Sequence, residues 1–136
     1  MFALISMLFA GLTSVIAKFG MKNLSSDVAL GIRTLVVFGI VSANALLLND
    51  ALTEIRAAPR SNLVFLAISG LTTSLSWIFY YRAIQEGPVS YVASIDKASI
   101  LVTLLLSFVL LKEPLTFKVG VGAALILAGM LVLVWK

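Results

Sequence analysis

Five apolar runs, each close to the width of a bilayer's hydrocarbon core, decide most of what this chain can fold into. They extend from about Phe2 to Phe19, Ala29 to Leu48, Leu63 to Ile84, Val89 to Leu111 and Val119 to Trp135. A helix of roughly 20 apolar residues crosses a membrane. Turn signals separate the runs: Asn23-Leu24-Ser25-Ser26-Asp27, the stretch Asn49 to Ser61 with Pro59, then Gly87-Pro88 and Glu113-Pro114. The expected fold class is therefore an all-α integral membrane protein of five transmembrane helices, a single domain over residues 1–136. The loop at Gly87-Pro88 is short enough to make spans three and four an antiparallel hairpin. The first run is expected to be a span rather than a cleaved signal, because Phe2 follows Met1 directly and Lys18 and Lys22 come only afterwards.

Composition agrees. Hydrophobic residues make up 61% of the chain and charged residues 12%, against about 45–50% and about 25% in water-soluble domains. The net charge of +4 resides in Lys and Arg near span ends, where they anchor to headgroups. It does not form a basic patch interleaved with aromatics, so nucleic acid is not an expected partner. The chain has no cysteine and no histidine. This excludes a thiolate metal site and removes the commonest metal ligand and general base. With no nucleophile–base arrangement either, no metal, cofactor or enzymatic activity is expected.

Side chains return to one helical face every 3.6 residues. At ~100° per residue, Asp96, Ser99, Thr103 and Ser107 of span four fall within about 80° of one another. Lys97 points about 100° away, towards Ser90 and Ser94. Span three carries a second stripe of Ser69, Thr72, Thr73, Ser76 and Tyr80. Span two has Arg33 and Asn44 on one face, and span one has Ser6, Ala10, Thr13 and Ala17. Two roles compete for the hydroxyls: binding their own backbone or gluing helices together, and lining a solvated groove.

Asp96 and Lys97 stand side by side in a run that is otherwise almost pure hydrocarbon. Each such charge costs about 2.5–3.5 kcal/mol at a helix centre, and each Leu, Ile, Val or Phe returns about 0.3–0.6. The thirteen such apolar residues between Val89 and Leu111 sum to about −4 to −8 kcal/mol, which roughly offsets both charges. Intramembrane charges face a bundle interior, pair, or line a pathway. Arg33 lies about 6 Å into span two and Asp96 about 10 Å into span four, measured from the same membrane side at 1.5 Å per residue. An Arg33–Asp96 ion pair is the expectation, against the alternative that Arg33 snorkels to the headgroups. Lys97 is then left over as a cation near Lys18, Tyr80 and Tyr81 in the same leaflet. Such a cluster favours an anionic or zwitterionic solute over a lipophilic cation.

The segments GIRTLVVF, SWIFYYRAIQEGPVSYVASIDKASI and LLKEPLTFKVGVGAALILAGMLVL resemble the EamA-like domain of the drug/metabolite transporter superfamily. The resemblance covers nearly the whole chain. It implies one half of an inverted-repeat, ten-helix architecture, since larger relatives carry two five-span halves related by a pseudo-twofold axis. Those relatives move small metabolites such as amino acids, nucleotide-linked sugars or drugs. The four-span exporters of the superfamily use a glutamate in their first span. This chain has no acid there, so that proton-coupled route does not carry over.

Orientation follows the Lys and Arg content of short loops. Arg56, Arg60, Lys112 and Lys118 flank one side; Lys18, Lys22, Arg82 and Lys136 flank the other, with Arg33 just inside. The balance predicts insertion both ways up. Two opposed copies would rebuild the inverted repeat with a site at its interface. Gly120, Ala124 and Ala128, four residues apart in span five, form a small-residue face that serves either the dimer contact or packing within one copy.

The expected function is secondary transport of a small polar metabolite or drug across the cytoplasmic membrane by alternating access, as an antiparallel homodimer in the lipid bilayer. The expected substrate-binding residues are Asp96, Lys97 and Arg33, with Tyr80, Trp77, Ser76 and Ser99 as lining. The alternative is a non-transporting accessory or assembly subunit that pairs with a different chain.

Overall fold

Hydrocarbon offers backbone amides no hydrogen-bond partner, so each apolar run must satisfy its own by coiling. In the computed structural model of the chain, which describes residues 1–48, 50–114 and 116–135, seven helices result. They are α1 (Phe2–Gly20), α2 (Ser26–Leu48), α3 (Ala51–Ala57), α4 (Arg60–Glu86), α5 (Val89–Asp96), α6 (Ser99–Leu110) and α7 (Phe117–Val134). Five stretches are long and apolar enough to cross a membrane: Phe2–Gly20, Ser26–Leu47, Arg60–Glu86, Val89–Leu110 and Phe117–Val134. The fold is all-helical with five candidate spans, and the protein is a multi-pass membrane protein. Asn49, Leu115 and Lys136, which figured in the loop, motif and charge readings, lie outside the described residues.

Two helices depart from the sequence reading. The stretch after Asn49 is helical over Ala51–Ala57 and packs against α2. Pro59 ends this interruption and its carbonyl starts the next helix, accepting from Asn62 N at 3.0 Å. Span four is two helices. The ladder lapses at Lys97-Ala98, where Ala98 N donates to Ile95 O at 2.9 Å and Ile100 N to Lys97 O at 3.1 Å. These bonds close over three residues rather than four, the tighter winding that often marks a functional hinge.

Contacts divide the chain into two compact units, Met1–Gln85 and Glu86–Lys136. In the first, the buried side chains are Met21, Ser26, Leu30, Tyr81 and Ile84, all near the α1–α2 turn and the end of α4. Gln85 fastens this end. Its Oε1 accepts from Ser26 N at 3.0 Å and its Nε2 donates to Leu24 O at 3.0 Å. Lys18 Nζ donates to the carbonyls of Ile84 and Gln85, placing a cation where the last carbonyls of α4 lack helical donors. Arg82 binds Asp27 with both carboxylate oxygens engaged, at 3.2 and 3.1 Å. Both partners are more than half exposed, so solvent screens the pair and it adds little to stability. Gln85→Leu removes both backbone contacts and strands a buried amide. It should lower stability by about 2 kcal/mol, read from unfolding in mild detergent.

In the second unit α5 packs against α7. Thr116 caps α7, its hydroxyl accepting from Val119 N at 3.4 Å. The helix before it ends with Lys112 at φ 55°, a left-handed conformation that strains any residue with a Cβ. Lys112→Gly should relieve this and raise stability by about 1 kcal/mol in the same unfolding measurement.

Candidate functional site

Arg33 sits on the second turn of α2, and its neighbours are aromatic. Its guanidinium carbon lies 4.3 Å from the ring centroid of Trp77 and 5.8 Å from that of Tyr81. Trp77 and Tyr81 are four residues apart on α4 and so share one face. A guanidinium on such a surface gains about 0.5–2 kcal/mol from the ring quadrupoles. It keeps its N–H groups free for other partners. Nη1 of Arg33 and the hydroxyl of Tyr81 are buried without a hydrogen-bond partner among the described residues. Both residues border a cavity of about 370 Å³ between α1, α2 and the end of α4.

The neighbouring tyrosine is spent differently. Tyr80 lies about 100° round the helix from Tyr81, and its hydroxyl donates to Ser14 Oγ at 2.7 Å, tying α4 to α1. Ser76 is exposed and does not border the cavity. Several hydroxyls of the predicted stripes bond their own helix: Thr72 and Thr73 to Ser69 O at 2.9 and 2.8 Å, and Thr13 to Phe9 O at 2.8 Å. Thr72 and Thr73 spend their hydroxyl protons on the backbone, and Thr13, which borders the cavity, does the same.

In the second unit Lys97 Nζ lies 3.7 Å from Asp96 Oδ2. The expectation that Lys97 lacks an acidic partner is corrected: adjacent residues at the lapse in the ladder meet each other. The lapse also separates Asp96, the last residue of α5, from Ser99, Thr103 and Ser107 on α6. The stripe computed for one continuous helix is therefore interrupted at its charged end. Ser99 is exposed at the start of α6, and its carbonyl accepts from the Thr103 hydroxyl at 3.1 Å. Arg33 and Asp96 belong to different units, and their pairing stands as a proposal.

The structure thus brings Arg33 and Trp77 together with Tyr81, and Asp96 with Lys97. Tyr81 was placed only loosely by sequence reasoning. The four-residue spacing from Trp77 was the signal that could have singled it out. Gly120, Ala124 and Ala128 are all exposed on α7, and a Cβ built on Gly120 would meet nothing within 4 Å.

The model of the EamA-like transporter family matches residues 1–135. A protein of Sinorhizobium sp, named an uncharacterized transporter in the cobO 3′ region, is 37% identical over 131 residues, covering 96% of this chain and 92% of that protein. No solved structure matches.

Proposed function

The chain belongs to the EamA-like transporter family, and from that premise we propose that it carries a small polar metabolite or drug across the cytoplasmic membrane by alternating access. Membership over residues 1–135 is the observation that carries the transporter role. The relative named a transporter is matched over 92% of its own length. Pairing of two oppositely oriented copies would supply the second half that a path between inverted repeats needs. The near balance of Lys and Arg on the two sides, and an α7 face of Gly120, Ala124 and Ala128 open to a neighbour, support that arrangement.

Asp96, Lys97 and Arg33 form the charged part of the proposed path, with Tyr80, Trp77, Ser76 and Ser99 nearer its wall. A lapse in a spanning helix beside an ion pair is where transporters place binding groups.

Two reporters fused at Lys136, one active only in the cytoplasm and one only outside, test the arrangement. Both should give signal. Signal from one alone, together with no self-association, would favour an accessory subunit that pairs with a different chain. Ala124→Phe should dissociate the dimer in cross-linking while leaving membrane insertion intact. A dimer that persists would assign the small-residue face to packing within one copy. Flux in proteoliposomes, screened over amino acids, nucleosides and cationic drugs, tests transport itself.

A further inference from the structure

Two buried donors in the first unit lack acceptors, and they open onto one space. Nη1 of Arg33 and the hydroxyl of Tyr81 have no partner among the described residues. Tyr81 is 3% exposed, and both residues border the cavity of about 370 Å³. Buried donors left unmade are costly, the more so when charged, and native folds hold few of them. Among the described residues no acid borders this cavity. Asp27, the acid at the same end of the unit, is held by Arg82. Thr13 at the cavity edge gives its proton to Phe9 O. The remaining lining is apolar or small: Ile16, Ala17, Gly20, Leu24, Ala29 and Ile32.

We propose that this cavity binds an anionic group, a carboxylate or a phosphate ester, through Arg33 and Tyr81, with an apolar body lying along Ile16, Leu24 and Ile32. The inference deepens the transporter reading by naming an anionic, partly apolar substrate class, and rests on it. A guanidinium and a phenol together offer an oxyanion two donors, one of them charge-assisted. The aromatic seat holds the guanidinium in place before the anion arrives, and the apolar wall excludes a small hydrated ion such as chloride. Arg33 is seven residues from the start of α2 at Ser26, about 10 Å along the helix. At that depth a lipid headgroup and a dissolved organic acid present the same oxygens.

The test reads Trp77, which sits against Arg33. The chain has two tryptophans, so Trp135→Phe isolates its emission. Purified Trp135→Phe protein in phosphatidylcholine nanodiscs is titrated with phenylacetate, and with neutral phenylacetamide, at constant ionic strength. A saturable emission change with phenylacetate is expected, at least tenfold weaker for phenylacetamide. It should weaken at least tenfold in Arg33→Gln and several-fold in Tyr81→Phe, which keeps the ring and its packing. In discs containing phosphatidylglycerol, emission already shifted before titration, with a phenylacetate response moved to higher concentration, would identify the headgroup as a competing anion at the same donors.

Equal responses to the acid and the amide, or no response in either disc, would overturn the proposal. So would a response that appears only after Asp96→Asn, because the donors would then belong to an internal carboxylate. Should Arg33→Gln not fold, Tyr81→Phe and the phenylacetamide control still decide the matter. Solute flux through a protein that shows no anion response would leave the transporter reading intact and remove this inference alone.

Discussion

A chain carrying Asp96→Asn should lose stability in the bilayer, and Asp96→Asn with Lys97→Met should regain most of it. The two side chains lie 3.7 Å apart within a span otherwise rich in Leu, Ile and Val. Opposite charges in hydrocarbon screen each other, so removing one leaves the other without compensation. Removing both leaves one neutral amide in an otherwise apolar segment. Folded yield in the membrane fraction and unfolding by denaturant report the effect. With the proposed path running past this pair, both variants should be inactive in flux, since recovery of folding restores no charge there. A second double variant, Asp96→Asn with Arg33→Gln, decides the partner. If it recovers stability and the Lys97 combination does not, the aspartate answers to Arg33. If neither double variant differs from the sum of its single changes, no pairing exists.

Ile84→Ala should cost about 2–5 kcal/mol of the first unit's stability. Ile84 is fully buried, beside Met21 and Tyr81 at the end where Lys18 and Gln85 fasten α4. Its loss would open a cavity beneath the Lys18 and Gln85 hydrogen bonds, which limits collapse around it. Leu125→Ala, on an exposed turn of α7, should shift stability far less in the same denaturation measurement. Similar losses at the two positions would show that the buried cluster contributes no more than a lipid-facing surface.

The five spans were legible because hydropathy over about 20 residues is a strong signal, and their ends fell within a few residues of those observed. The helix Ala51–Ala57 was not, since its seven residues ALTEIRA lie between turn formers and carry no apolar run. The lapse at Lys97-Ala98 was hidden for another reason. No Pro or Gly marks it, and a stripe drawn at constant rotation passes straight across. Arg33 was chosen for its charge at depth, and Trp77 for its place on span three. Tyr81 was passed over for Tyr80 because a shift of one residue turns a side chain to another face. Gln85 and Lys18 were not legible as a fastening, because their acceptors are backbone carbonyls some sixty residues away in sequence, which no local pattern encodes.

The placement of Gln85, Lys18 and Ser26 carries a mechanical consequence. The first unit is riveted at one rim, and its enclosed side chains gather there, while the remaining length of its rods faces outward. Such an object resists opening at the fastened rim and yields first at the other. Amide protons around residues 21–30 and 80–85 should therefore exchange last.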